Sequence, residues 1–249
     1  FNGLIWILSA FTMLAASATA LWQPSAKRLL AYSSISHAGF MLMGIATLGS
    51  VEDALVATVF YVPAYVLATV GAFGVLTYLE RRYRDTSLKV FNGLWKTNPM
   101  LTFATVVFLA SLAGLPPTYG FMGKYLLFAK AYEGGLNILL ASAVLSTLIS
   151  LFFYFKIVRC MLLNEPNDPR EANSEPVPIL AIPTRIIGRF FSPPDIDLDA
   201  SSDGVRPHSA GFSVFMFVLC LVILLALFLW GPLYDSAARA IEGLTSASF

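Results

Sequence analysis

Six tracts of this sequence run for roughly 20 residues or more with almost no charge, the length a helix needs to cross the hydrocarbon core of a bilayer. Five of them (residues 4–22, 29–49, 54–79, 136–155 and 212–234) contain no Asp, Glu, Lys or Arg, and the remaining one (101–129) contains only Lys124. Lipid offers a backbone no hydrogen-bond partners, so segments that cross it are helices or closed barrels. The alternating strands of about ten residues that a barrel needs are absent. The expected fold is therefore all-α, a polytopic membrane helical bundle with about six transmembrane helices.

Composition excludes most other classes. Apolar types make up 57% of the 249 residues and charged types 12%, about half the charged share of a soluble domain. A net charge of +1 supplies no basic field for nucleic acid. Cys160 and Cys220 lie in or beside apolar tracts, and His37 and His208 are far apart, so no metal-ligand spacing and no disulfide framework is expected. No start methionine and no charged n-region precede the first tract, which reads as an internal span of a longer protein rather than as a signal peptide.

The few charges sort by connection. Lys27 and Arg28 lie between the first two spans, and Arg81, Arg82, Arg84, Lys89 and Lys96 between the third and fourth. Arg159, Arg170, Arg185, Arg189 and Arg206 follow the fifth, whereas the opposite connections hold Glu52, Asp53 and Glu133, with Lys130 the basic exception. The positive-inside rule then predicts base-rich loops on the cytoplasmic side and both chain ends on the other. Residues 164–210 hold eight of the fourteen prolines and are expected as a Pro/Asp-rich cytoplasmic insertion, with an apolar piece at 178–193 suited to a membrane surface or a neighbouring subunit. The expected organisation is a five-helix unit (1–163), the insertion, a closing helix (211–234) and a tail (235–249) able to form a short interfacial helix.

Lys124 is the position with the most chemical content. A lysine at membrane depth costs about 3 kcal/mol on insertion scales, and no acidic residue occurs between Asp85 and Glu133. Lys130, near the exit of the span, suits a snorkelling lysine; Lys124 lies six residues deeper. Pro116 and Pro117 delete two backbone donors just before it, and Gly114, Gly120 and Gly123 loosen the same stretch. A helix broken here frees backbone groups at a depth where only protein or water can satisfy them, and broken helices recur at ion sites in transporters. Burial disfavours the charged form of an amine, so a lysine so placed can take up and release a proton as a neighbouring charge moves, without a cofactor.

His37 shares a helical stripe with Ser33 and Ser36 and can pass protons between that stripe and the lysine; a neutral histidine bonded to another helix explains it equally. Span five repeats Ser142, Ser146, Ser150 and Tyr154 at four-residue intervals, ending near Lys156, and span three offers Thr58, Tyr61, Tyr65 and Thr69 around Pro63. Either row can line a hydrated path, and either is equally explained by hydrogen bonding between helices. From these we single out Ser33, Ser36, Tyr65, Ser146, Ser150 and Lys156 as a possible polar axis. Lys27, at the start of span two, has on position alone the look of a positive-inside anchor.

Two segments resemble signatures of the antiporter-like membrane subunits of respiratory complex I. KRLLAYSSISHAGFMLMG (27–44) resembles the family's basic pair, tyrosine-serine-serine run, histidine and glycine; SLAGLPPTYGFMGKYLLF (111–128) resembles its broken helix with a central lysine. AFGVLTYLE (72–80) and ISLFFYFKIVRCML (149–162) support the match, and the histidine and the LPPTYGFMGK form resemble subunit N rather than its larger paralogues. The resemblance implies that 1–163 is the second of two inverted five-helix repeats, followed by a closing helix, and the charge-based orientation agrees. It also implies that Lys124 is the lysine of the second broken helix, on the path that releases protons away from the cytoplasm, and that Lys27 and His37 belong to a central hydrophilic axis. The glutamate and lysine pair of the first repeat is absent from this sequence, and the 164–210 insertion is not part of the family pattern.

The expected function is thus that of a proton-translocating membrane subunit of NADH:quinone oxidoreductase, in which this sequence is not expected to pump alone. FMN, iron–sulfur clusters and quinone would be held by partner subunits, with no cofactor or metal in this chain. Partners would be other membrane subunits of complex I and the lipid of, by analogy, a bacterial inner membrane. The alternatives are a subunit of a multisubunit Na+/H+ antiporter or membrane-bound hydrogenase, which share these helices, and a non-transporting scaffold in which Lys124 is permanently paired with an acid.

Overall fold

The computed structural model describes residues 2–48, 50–51, 53–166 and 210–246. Most of the 164–210 insertion, including 178–193, lies outside the described residues. Four helices are each long and apolar enough to cross a bilayer unaided: α1 (Asn2–Leu21), α2 (Ala26–Thr47), α3 (Ala54–Tyr83) and, after a short 3-10 turn (Leu88–Phe91), a one-turn helix α4 (Leu94–Thr97) and the broken span, α7 (Asn137–Leu163). The broken span is α5 (Pro99–Ala113) and α6 (Tyr119–Glu133), each 15 residues long and too short to cross alone. α8 (Ala210–Phe228) and α9 (Trp230–Ser246) complete the chain.

The expected last span, 212–234, differs from the structure. α8 stops at Phe228, and the chain turns by 85° into α9. The cause is Pro232, which has no N–H and whose ring would strike the carbonyl of Phe228 in a continuous helix. α9 therefore absorbs both the end of the expected span and most of the expected tail.

α1 lies along α2 and reaches α7, while α3 occupies the centre, touching α2, α5, α6, α8 and α9. The apolar core is split along the bundle. One cluster runs along α3 from Phe60 to Tyr83 and takes in Leu29 and Leu30 of α2 and Phe153 and Ile157 of α7. The other holds Met13, Phe40, Met43, Tyr61 and Leu127. At the base-rich end, Ser25 caps α2, the Ala26 amide donates to the Thr86 carbonyl (2.9 Å), and Gly93 donates to Cys160 (3.2 Å), tying the connections together. At the far end Lys130 pairs with Glu133 (2.9 Å) and lies 3.8 Å from Asp53.

Candidate functional site

The site grows out of the break between α5 and α6. Gly114 adopts a left-handed conformation (φ 79°), and the amides of Leu115 and Gly114 close the end of α5 on the carbonyls of Ala110 (2.9 Å) and Ser111 (3.1 Å). In a continuous helix the carbonyls of Leu112 and Ala113 would accept from residues 116 and 117, but both are proline and have no N–H to give. Lys124 supplies the missing donor for one of them: its Nζ donates to the Ala113 carbonyl at 3.1 Å. The second half-helix is seated by Gly120, whose amide donates to Ser111 Oγ (3.2 Å) and whose Cα lies so close to the Ser111 carbonyl that a Cβ would overlap it.

Lys124 is 3% exposed. Its Nζ stands 4.9 Å from the centre of the Phe40 ring, a cation–π geometry. Gly114 makes room for it, since a Cβ there would sit 2.8 Å from Lys124 Cδ. Among the described residues no carboxylate lies within ion-pairing distance of Nζ; the ion pairs formed involve Lys27, Lys96 and Lys130. Among the described residues the amine neither snorkels to the surface nor pairs with an acid. The permanently paired lysine of the scaffold alternative is not what these residues form.

His37, 4% exposed on α2, lies beside the same phenylalanine, with ring centres 6.0 Å apart. Its Nδ1 is hydrogen-bonded to the Tyr61 hydroxyl of α3, and its Nε2 lies 3.3 Å from the Tyr154 hydroxyl of α7. The Tyr154 hydroxyl is in turn bonded to Ser33, one turn along α2. Tyr61 packs against the bare Cα of Gly123, next to Lys124. A second buried polar group adjoins: Ser17, Ser36 and Ser146, from α1, α2 and α7, lie within 2.6–3.1 Å of one another. Ser146 also donates to the Met13 carbonyl (3.2 Å).

The remaining expected residues fall apart from this centre to different degrees. Tyr65 is half-buried with its ring 5.0 Å from that of His37. Ser150 is buried but donates within its own helix to Thr147 (2.6 Å). Lys156 is exposed on α7. Lys27 stands at the first turn of α2, its side chain 62% exposed and 3.3 Å from Glu80. Ten residues of helix separate Lys27 from His37, about 15 Å.

Tyr61 and Tyr154 stood in the polar rows of the sequence but were not singled out. The sequence does not show which hydroxyl of a row turns toward the histidine; helix rotation decides that. Ser17 was missed altogether, because span one reads as plain apolar sequence. Its only signal is the run AASATA (15–20), whose small and hydroxyl side chains suit close helix packing.

Chemically, the arrangement is a buried amine bonded to a carbonyl, with one aromatic ring adjoining both that amine and a buried imidazole that has a hydroxyl at each nitrogen. Such a centre can bind, hold and hand over a proton. Among the described residues no group of three or more His, Cys, Asp or Glu is placed to hold a metal ion.

Comparison with known proteins agrees with this reading of the fold. The family described as NADH:quinone oxidoreductase/Mrp antiporter, TM, matches residues 1–150. NADH-quinone oxidoreductase subunit N 2 of Chloroherpeton thalassium is 37% identical over 199 residues, covering 76% of this chain and 38% of that protein. Subunit N of Chlorobium chlorochromatii is 38% identical over 201 residues, with coverages of 76% and 39%. Among solved structures, a chain of respiratory complex I from Thermus thermophilus superposes with a TM-score of 0.71 at 27% identity, over 94% of this chain and 45% of that one. A chain of the Mrp complex from Dietzia sp. superposes with a TM-score of 0.75 at 25% identity, over 96% and 47%. The chain thus spans about two fifths of the length of these curated relatives. It is an integral membrane protein and belongs to the NADH:quinone oxidoreductase/Mrp antiporter transmembrane family.

Proposed function

We propose that this member of the family forms part of a proton-translocating membrane subunit of an NADH:quinone oxidoreductase, with Lys124 as its proton carrier. One observation supports the reading above the others: a fully buried amine, without a carboxylate partner among the described residues, bonded to a carbonyl that two prolines leave without a donor. A lysine kept at membrane depth costs about 3 kcal/mol, and a single hydrogen bond to a carbonyl offsets only part of that. An amine in this balance changes protonation when a charge or helix nearby moves. His37 and the Tyr61 and Tyr154 hydroxyls supply the neighbouring groups from which the proton comes or to which it goes, and the Phe40 face favours the ammonium form.

In this reading the redox chemistry, with FMN, iron–sulfur clusters and quinone, belongs to partner subunits, and this chain binds, holds and releases protons. Redox energy reaches it as shifts of charge or conformation. Other membrane subunits, or the rest of a longer chain, are its partners. Leu115, 43% exposed, and the exposed Pro116 and Pro117 form a break that at membrane depth requires cover by protein or water. We place the base-rich connections on the cytoplasmic face of a bacterial inner membrane, with residues 1–163 as one antiporter-like repeat, 164–210 as a cytoplasmic insertion and both ends on the opposite face. Lys27, though exposed in the structure, remains in this proposal a mouth of the polar axis, with Glu80 as its partner.

The test is Lys124→Ala in the full-length subunit assembled in its complex. Inverted membrane vesicles should show the complex assembled but protons translocated per electron reduced. Wild-type stoichiometry would sink the assignment. The comparable likeness to the Mrp complex chain supports one second reading, a subunit of a cation/proton antiporter. Proton movement that requires sodium but no NADH would select it.

A further inference from the structure

The end of the chain departs most from a plain bundle, and its geometry sets the depth at which it lies in the membrane. α8 runs antiparallel to α3. Near the base-rich end Phe212 stacks on Tyr78, with ring centres 5.3 Å apart; past the other end of α8, Tyr234 of α9 packs on Phe60 at 6.3 Å. Two lengths then locate the turn between the helices. α8 has 19 residues, none of them charged, and is about 28 Å long, close to the roughly 30 Å of a hydrocarbon core. α3 has 30 residues, about 45 Å, so when centred it passes the core by about 7.5 Å at each end. Phe60 lies about 9 Å from the start of α3 at Ala54. Both measures put α9 at the edge of the leaflet opposite the base-rich connections, and the 85° turn lays it along that edge.

The residues of α9 suit that position. At helical spacing Trp230, Leu233, Tyr234, Ala237, Ala238 and Ile241 share one arc, and Asp235, Ser236 and Arg239 share the opposite one. Tyr234, Ala237, Ala238 and Ile241 are half-buried, with α9 packed on α3. Trp230 and Leu233, on the same apolar arc, stay 42% and 38% exposed. They continue the outward apolar face of α8, where Val218, Leu221, Leu225 and Phe228 are exposed. The polar arc turns away from the bundle: Asp235, Ser236 and Arg239 are exposed, and Ser236 and Arg239 bond only back to their own helix, at the carbonyls of Pro232 (2.6 Å) and Asp235 (3.2 Å). One acid and one base on that arc cancel, so charge does not draw it to anionic headgroups.

We infer that α9 is an in-plane interfacial helix, seated on the first turns of α3 and anchored by Trp230 and Leu233 in the lipid of that leaflet, with Asp235, Ser236 and Arg239 facing water. Its partner is the boundary between headgroups and acyl chains. An amphipathic helix sinks its apolar face about 5–10 Å into that boundary, and the indole of Trp230 combines an apolar body with an N–H that suits the same depth. The hold is apolar and needs no anionic lipid. The helix begins at Trp230, inside the apolar run, because Pro232 turns the chain there. None of this depends on what Lys124 does.

The test is a depth measurement on the full-length protein in its native assembly. A ketone-bearing amino acid, placed singly at Val222, Leu233, Ser236 or Arg239, carries a nitroxide without the use of cysteines. The protein is held in phosphatidylcholine nanodiscs, and collisions of each nitroxide with oxygen, which concentrates in lipid, and with a nickel chelate, which stays in water, are read by electron paramagnetic resonance. Oxygen should dominate strongly at Val222 of α8 and more weakly at Leu233, at a depth of about 5–10 Å, and the nickel chelate should dominate at Ser236 and Arg239. Adding phosphatidylglycerol should leave the pattern unchanged. Nickel dominance at Leu233 as well would overturn the inference, since α9 would then stand in water. Oxygen dominance at all three α9 positions would overturn it in favour of a helix that re-enters the core. A Leu233 label that neither reagent reaches would overturn it in favour of cover by a neighbouring subunit, and a pattern that appears only with phosphatidylglycerol would overturn the apolar anchor. Where a label at Leu233 prevents assembly, the exposed Ala240, at the edge of the same arc, carries it under the same criteria.

Discussion

Gly114→Ala and Gly135→Ala form a matched pair that isolates what the break does for Lys124. Both glycines have positive φ, 79° and 71°, so alanine at either pays the left-handed penalty of about 1–2 kcal/mol. At Gly135 an added methyl meets nothing within 4 Å, and the backbone term is the whole effect. At Gly114 the methyl would lie 2.8 Å from Lys124 Cδ. The clash is relieved by moving the lysine chain by roughly 0.6 Å to ordinary contact distance. A shift of that size carries Nζ from 3.1 Å to beyond hydrogen-bonding range of the Ala113 carbonyl. The two variants should therefore lose similar stability, within about 1 kcal/mol in detergent unfolding, because the clash falls on a side chain that can yield. Proton translocation should split them. Gly135→Ala stays close to wild type, whereas Gly114→Ala falls by roughly ten- to a hundredfold, as expected for a reacting group displaced by a fraction of an ångström to an ångström. Equal translocation in the two variants would refute the claim that Gly114 exists to seat the amine.

Three further outcomes are expected. Gly120→Ala forces a methyl into the Ser111 carbonyl where the half-helices meet, and should abolish stable assembly as judged by recovery of folded protein from membranes. Ser17→Ala removes the hydroxyl that joins Ser36 and Ser146 and should cost about 1–2 kcal/mol in unfolding, with translocation retained. Lys27→Ala breaks a pair whose lysine is 62% exposed, so its effect on stability should be below about 1 kcal/mol and should shrink further in high salt.

The parts of the fold that the sequence makes legible are those where one residue type permits few outcomes. Adjacent Pro116 and Pro117 in an otherwise continuous apolar run cannot sit in a helix interior, and the chain breaks there. Lys124 stands out because nothing else in its span is charged. Where residue type leaves several outcomes open, the reading fails or stops short. Gly231-Pro232 lies inside an apolar run that extends to Tyr234, and hydrophobicity alone conceals the 85° turn. The hydroxyl rows of α3 and α7 are plain, but choosing Tyr61 over Tyr65 requires the rotation of α3 about its axis, which packing against its neighbours, Gly123 among them, fixes. Ser17 acquires meaning only through two helices distant in sequence. Lys27 is the converse: the resemblance implies a role in an axis, and its position at the first turn of α2 leaves it in contact with solvent and Glu80.

The most direct measurement is the nitrogen resonance of Lys124 itself, from 15N-lysine solid-state NMR of the assembled complex at rest and during NADH turnover, assigned by loss of the signal in Lys124→Ala. A proton carrier must exchange its proton as the cycle advances, so the signal should move between ammonium and neutral-amine positions. A resonance that stays at the ammonium position in every state would contradict the account and leave Lys124 as a fixed positive charge in a packed bundle.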